Sequence, residues 1–497
     1  MNNTLKAAAL VLGVLLTACG GGGGGGSDGG PGPISIVPAT ATVPVGGQKA
    51  FTLSPSASTT WSVDGNEGGN GTVGTISPIG LYTAPFVLPS LSTAILPSPS
   101  TAVPPSPLTV TVSASAAENT ASVTVVSRFR SDGAVSIGAC SIEVPCLPNS
   151  VLAPDLDGDG LSELVTANTD KGTISILKRT SGSTFGTPTE DQLGTSVFAE
   201  PQALVVGTFD GNATLDLVVA DADRNAPAVW TLAGNGDATF GSPVSVALPA
   251  TSQPLSAASG RFDIDINRDV VVANFMTSTL TILRGDGMGG FLIPSTILLD
   301  PGSSPLGVAA GDFNNDLFDD IAVANRGTNT VAVFLSAGDA LSNFTTPEIY
   351  AVLGDPSAIV AADLNSDGSP DLAVTSALTD RVTVIFNRGT SGTPGATFYP
   401  PSPLYPTYTT GPRPVALASG DWNKDGFADL VVANHDGKTI TVFLGYGDGT
   451  LISSETYPVG NAPQAVAVGD FNGDSFPDLA VANSGDDTVS ILRNRGQ

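Results

Sequence analysis

Carboxylates recur in this chain at a spacing that suits the capture of a hard cation. In Asp155-Leu-Asp-Gly-Asp-Gly-Leu-Ser-Glu163 acidic side chains stand at positions 1, 3, 5 and 9 of a short loop: Asp155, Asp157, Asp159 and Glu163. Alternate residues of a tight loop can point inward together, position 7 can offer its carbonyl, and Gly160 at position 6 permits the sharp bend. Such a cage of oxygens suits calcium, which accepts about six to eight flexible ligands, better than magnesium with its strict octahedron. Position 12 is Thr166 rather than Glu, so the loop is not an EF-hand. The spacing returns at Asp312, Asn314, Asp316 and Asp320; at Asp363, Asn365, Asp367 and Asp371; at Asp421, Asn423, Asp425 and Asp429; and at Asp470, Asn472, Asp474 and Asp478. Gly368 and Gly426 also hold position 6, whereas Leu317 and Ser475 replace it in the loops from Asp312 and Asp470, which are expected to bind more weakly. A further loop (Thr208, Asp210, Asn212, Asp216) has lost one carboxylate. Another opens with Arg261, whose guanidinium is expected among Asp263, Asp265 and Asp269 as an internal cation. About five structural Ca²⁺ sites are therefore expected, offsetting part of a formal net charge of −27. Catalysis by such ions would need an open coordination position beside a cleft, and the sequence shows none.

The loops sit in a repeat. Each follows by seven residues a proline: Pro148, Pro201, Pro254, Pro305, Pro356, Pro414 and Pro463, at intervals of 53, 53, 51, 51, 58 and 49. Each is followed by a small apolar run that closes in Ala-Asn or a close variant. Seven units of about fifty residues, rich in β-branched runs broken by Gly and Asp, predict a propeller. A second marker, Phe185, Phe240, Phe291, Phe344 and Phe398, follows a Gly-rich turn in five units, with Leu451 in the sixth and nothing in the seventh. Phe129, 56 residues before Phe185, fits the missing place. The segment from about Arg128 to Ile142 is thus expected to supply the outer strand of the last blade and remove the edges that an open array would expose. Residues 127–147 act as linker and closing strand, and 148–497 as the propeller.

Gly469-Asp-Phe-Asn-Gly-Asp-Ser-Phe-Pro-Asp-Leu-Ala-Val-Ala-Asn483 and Gly420-Asp-Trp-Asn-Lys-Asp-Gly-Phe-Ala-Asp-Leu-Val-Val-Ala-Asn434 resemble the FG-GAP or VCBS repeat family. That resemblance spans about 350 residues and implies the propeller of integrin α-subunits and of many bacterial surface proteins. It is specific for fold and uninformative about function.

Residues 1–18 read as an export signal: Lys6 supplies positive charge and Ala7 to Leu16 form an apolar run too short to span a bilayer. Leu16-Thr17-Ala18-Cys19 resembles the bacterial lipoprotein box, which implies lipidation of Cys19 and, with no Asp after it, outer-membrane sorting. Residues 19–33, with the glycine run Gly20 to Gly26, make a flexible tether. Residues 34–126 alternate with a period of two, as in Leu108-Thr-Val-Thr-Val112, and predict a β-sandwich; Trp61-Ser-Val and Gly80-Leu-Tyr-Thr-Ala-Pro85 resemble bacterial immunoglobulin-like domains. The fold class expected is all-β: a seven-bladed β-propeller preceded by an Ig-like β-sandwich. Cys140 and Cys146 are expected to pair in an exported chain; zinc is the competitor, without a nearby His or a third Cys.

Catalytic signals are weak. His435 is the only histidine. Gly25-Gly-Ser-Asp-Gly29 and Gly285-Asp-Gly-Met-Gly-Gly290 match a nucleophile elbow and a dinucleotide fingerprint only formally, without the helix each needs. Arg284-Gly285-Asp286 spells an integrin-binding tripeptide inside a routine turn. Tyr399, Tyr405 and Tyr408 alternate with prolines in the longest repeat interval, as a ligand surface or as strand packing. The charge excludes electrostatic binding of nucleic acid. The reading is a calcium-stabilised, lipid-anchored binding or adhesion protein of the bacterial cell envelope, non-catalytic, with an extracellular protein or glycan as partner. The alternative is an extracellular polysaccharide-active enzyme or a lectin-like accessory.

Overall fold

The computed structural model describes residues 128–496 apart from 139, 141–144, 181–183, 194–198, 389–397 and 400–404; before them it describes eleven short strands between Ser35 and Val126 as backbone. The expected signal segment, Cys19 and the tether lie outside the described residues. In the N-terminal third, Leu108–Ala114 pairs antiparallel with Ala121–Val126, which in turn runs parallel to Thr40–Pro44. Trp61–Val63 joins the other edge of Leu108–Ala114.

From residue 128 onward the chain folds into seven four-stranded antiparallel sheets. The first strand of each blade touches the first strand of the next, and that of blade 7 (Pro463–Gly469) touches that of blade 1 (Pro148–Leu152), which closes the ring. The repeating prolines open these inner strands. In every blade the ladder slips between the proline and the residue two places on. Proline has no N–H to give, so a bulge at that point costs no ladder bond. The second strands are sealed on both faces: Asp269–Asn274, Asp320–Asn325 and Asp429–Asn434 are buried at all six positions. Hence they read as continuous apolar runs rather than alternating ones.

The terminal Asn of those runs has a defined task. Asn168, Asn274, Asn434 and Asn483 are buried, and each donates through Nδ2 to two hydroxyls on the third strand, for example Thr279 at 3.1 Å and Thr281 at 2.9 Å. A buried amide must find partners, and these bonds fix the turn between strands two and three.

Blade 7 contains Pro463–Gly469, Asp478–Asn483, Thr488–Asn494 and, from the other end of the propeller chain, Phe129–Ser136. Aromatic contacts carry the same register between blades. The residue at loop position 2 packs on the Phe marker of the following blade: Phe209 on Phe291, Phe262 on Phe344, Phe313 on Phe398 and Phe471 on Phe185, with centroids 5.3–6.0 Å apart. Leu156 with Phe240 and Leu364 with Leu451 take the same places. Trp422 meets Phe129 at 6.1 Å. The inner strand ends in Gly420 because a Cβ there would lie 2.5 Å from the Trp422 ring. Around the closing strand Glu455 accepts the Arg128 amide, and the Tyr457 hydroxyl, itself bonded to Glu455, accepts the Phe129 amide. A disulfide joins Cys140 to Cys146, and Cys146 is buried in the core between blades 7 and 1.

Phe129 belongs to no repeat yet completes the aromatic ring of the last one. Phe129→Ala is expected to cost about 3 kcal/mol in denaturant unfolding, the usual loss for a buried Phe. A cost near zero would show that the disc closes without it.

Candidate metal-binding loops

The acidic loops connect the first and second strands of each blade, so all seven lie on one face of the disc. Their backbone is organised by their own carboxylates. At position 1, Asp312 accepts the amides of Asp316 and Leu317 at 3.0 and 2.8 Å, one on each oxygen. Asp155, Asp363 and Asp421 hold their loops in the same manner, and Asp470 takes the amides of Gly473 and Ser475. At position 5 one oxygen accepts the amide of position 7, as Asp159 does from Leu161 at 2.8 Å; Asp316, Asp367, Asp425 and Asp474 repeat it. The position-5 side chains stand exposed at the tips.

Loop 1 meets the simplest requirement of an ion site. Ligand oxygens of Asp155, Asp157 and Asp159 all lie within 4.8 Å of one another, the only such cluster among the described residues. Calcium–oxygen distances of about 2.3–2.6 Å place opposed ligands about 5 Å apart, so these hard oxygens fit calcium. The Lys178 ammonium reaches Asp157 Oδ2 at 2.9 Å and already offsets part of that charge. In loops 4, 6 and 7 the position-3 amides Asn314, Asn423 and Asn472 donate to the position-5 carboxylates at 2.8–3.0 Å. All four position-3 amides, Asn365 included, accept the position-5 N–H through Oδ1 at 2.8–3.1 Å.

Position 9 behaves differently from the expectation that it joins the cage. Glu163 is not in the loop 1 cluster. Glu163, Asp216, Asp269, Asp320, Asp371, Asp429 and Asp478 are fully buried. In every blade one carboxylate oxygen accepts the amide of loop position 2 at 2.7–3.1 Å. The other accepts an amide at or just beyond the end of the third strand, at 2.7–2.9 Å in six blades and 3.5 Å from Arg179 in blade 1. The carboxylate is thus a latch that ties the loop, the second strand and the exit of the third. Burial pushes Asp269, Asp320, Asp371, Asp429 and Asp478 up to about 7, while the two amides pull the other way. The sequence held a clue: Asp216 and Asp269 keep position 9 acidic although their loops have lost the acid at position 1.

Arg261 also departs from expectation. Its guanidinium carbon lies 5.0 Å over the Phe318 ring of blade 4, rather than among Asp263, Asp265 and Asp269. Its amide donates to Asp319 at 2.8 Å, which aims the side chain toward the neighbouring loop, where a planar cation stacks on an aromatic face. The tyrosines do not form one surface. Tyr408 is half-buried against Phe443, and its hydroxyl bonds Gly449 O and accepts the Leu451 amide across the blade 5–6 seam. Tyr405 packs against the blade 4–5 core and donates to Tyr399 O, leaving Tyr399 exposed beneath Arg388. Short strands on a curved disc bring alternate side chains inward, so proline spacing alone did not report which ring faces solvent. His435 sits in the second-strand turn of blade 6, 2.6 Å from Asp436 and 3.2 Å from Arg413. In the Arg284-Gly285-Asp286 turn, Arg284 donates to Ala340 O of the next blade and Asp286 accepts the Met288 and Gly290 amides.

Residues 261–323, 312–374 and 421–481 match the FG-GAP-like repeat family. Over those stretches the chain carries FG-GAP-like repeats. No curated protein matches the sequence. Among solved structures, virginiamycin B lyase from Staphylococcus aureus superposes with a TM-score of 0.50 at 13% identity, covering 73% of this chain and 99% of that one. BBS1N in its complex with ARL6DN does so with a TM-score of 0.50 at 18% identity, covering 74% and 97%. At these identities the likeness is one of fold, the seven-bladed propeller.

In the five complete acidic loops position 6 is left-handed, with φ of +88° at Gly160, +87° at Gly368 and Gly426, +77° at Leu317 and +66° at Ser475. Leu317 is 77% exposed and gains nothing by packing. Leu317→Gly is expected to stabilise the protein by about 1 kcal/mol, the strain a side chain bears in that conformation. Urea unfolding midpoints of the two proteins check it, and a destabilised variant would contradict it.

Proposed function

We propose that this chain is a calcium-stabilised binding or adhesion protein of the bacterial cell envelope, anchored through lipid on Cys19 and displayed on an immunoglobulin-like stalk. The observation that carries the reading is the shared scaffold of loops 1, 4, 5, 6 and 7. In each the backbone is tied down by positions 1, 5 and 9, while the position-5 carboxylate faces solvent beside a half-buried acid at position 1. Clustered negative charge held in place by hydrogen bonds is costly without a counter-charge, and a bound divalent cation supplies one. Positions 1, 3 and 5 would supply ligands in Asp155, Asp157 and Asp159 and in their counterparts, with position 9 adding negative charge behind them. A rigid disc carrying a ring of loops suits recognition, which supports binding over chemistry. The one histidine is occupied by Asp436 and Arg413 in a surface turn, with no nucleophile bonded to it among the described residues.

Two measurements test the halves of this reading. Stripping the purified protein with EGTA should lower its melting temperature by several degrees, restored by calcium but not by an equal concentration of magnesium. An unchanged melt would remove the ion from the account. Cys19→Ala should move the protein from the membrane fraction to the soluble fraction of fractionated cells; continued membrane association would remove the lipid anchor.

A further inference from the structure

Blade 2 departs from the repeat in several ways that converge on one place. Where Asn168, Asn274, Asn434 and Asn483 end the second strand, blade 2 has Asp221. Its cross-strand partner lies seven residues on, Ala228, rather than five, as for Asn274 and Thr279. The longer turn, Ala222-Asp-Arg-Asn-Ala-Pro227, stands on the face opposite the acidic loops. The hydroxyl that elsewhere answers the Asn, such as Thr281 or Thr441, is replaced by Trp230. Trp230 Nε1 donates to Asp221 Oδ2 at 3.0 Å and so fixes the indole.

These substitutions border a cavity of about 420 Å³ lined by Asp221, Asp223, Asn225, Trp230, Ser245 and Ala247, among others. That is within the usual size of a small-molecule site, roughly 300–1,000 Å³. Small residues at Ala226, Ala228 and Ala247 leave space beside the indole. A second cavity of about 260 Å³ shares Asp223 and Pro227 with the first and adds Arg224, Gln253 and Thr251.

We propose that this pocket binds a neutral saccharide, one pyranose ring against Trp230 with the next unit in the adjoining cavity. The inference deepens the binding reading above and rests on it. The chemistry favours a neutral ligand over a cation. Asp221 and Asp223 are both 1% exposed, and their charges are already answered by N–H donors. Asp221 accepts from Glu200 N at 2.7 Å, Asp223 N at 3.1 Å and the indole; Asp223 accepts from Asn225 N at 2.8 Å and Ala226 N at 3.2 Å. Asp221 Oδ2, which takes the indole N–H alone, keeps a further acceptor direction that suits a sugar hydroxyl. An aromatic body with a polar rim suits a ring that carries C–H groups on one side and hydroxyls at its edge.

The test is calorimetric titration of the full-length protein with the methyl glycosides of glucose, galactose, mannose and N-acetylglucosamine, and with tetramethylammonium as a cationic probe. At least one glycoside should bind saturably, and tetramethylammonium should not. Ala247→Leu fills the cavity from an exposed strand position, so it should weaken that glycoside at least tenfold with no change in melting temperature. Trp230→Phe, which keeps a ring but loses the indole donor, should weaken it by a smaller factor. Absence of glycoside binding would overturn the proposal while leaving the EGTA and Cys19 outcomes intact. Glycoside binding unchanged in Ala247→Leu would preserve a binding protein and remove this pocket. Tetramethylammonium binding tighter than every glycoside would replace the ligand class and overturn the proposal.

Discussion

Seven buried carboxylates hold this disc together. Each takes one backbone N–H from the start of its loop and another from the exit of the third strand. These two points belong to different stretches of chain, and a single side chain at the head of the second strand reaches both. A hydrogen bond to a charged group contributes roughly 1.5–3 kcal/mol net, while a buried amide left without a partner costs about as much. The latch therefore cannot be traded for an apolar residue without stranding two amides. It survives in the two loops whose outer acids have eroded, which separates the demands of folding from whatever the outer acids serve.

Loop geometry and ring closure follow from the latch. By fixing the position-2 amide it also fixes the residue that carries it, and that residue packs on the next blade's marker: Phe313 on Phe398, Trp422 on Phe129. Polar stitches reinforce the same seam. Ser336, Asn387 and Asn494 each give their amide to the latch and their side chain to the position-2 carbonyl of the preceding blade. One carboxylate thus sets both the shape within a blade and the stacking between blades. The acids at positions 1 and 5, whose own bonds shape the loop, and the acid or amide at position 3 border the solvent side of a chain with net charge −27.

Function in a repeat protein is read most readily where one unit breaks the pattern. Blade 2 keeps its latch through Asp216 yet changes the opposite end of the same sheet, exchanging an amide and hydroxyls for Asp221, Ala228 and Trp230. In the amino-acid sequence the break shows as two extra residues between the second and third apolar runs and as three exchanged side chains beside them. An acid, an alanine and a tryptophan at those positions become a pocket when the turn folds over the sheet.

The sequence by itself determined the number of blades, the position of every acidic loop and the closing role of Phe129, because these depend on local period and on one missing element in a count. Proline marks the bulge, glycine the close approach to an aromatic, and Ala-Asn the end of a sealed strand, each for a reason confined to a few residues. Only the tertiary structure decided that position 9 turns inward to the backbone, that Arg261 leaves its own loop for Phe318 and that Tyr408 faces Phe443. Position 9 reaches amides 7 and 16 residues away that only the folded blade brings together, and Arg261 and Tyr408 meet rings of the neighbouring blade, on whichever side of a curved sheet remains open after the ring shuts. A local pattern holds no information about either until the blades are in place.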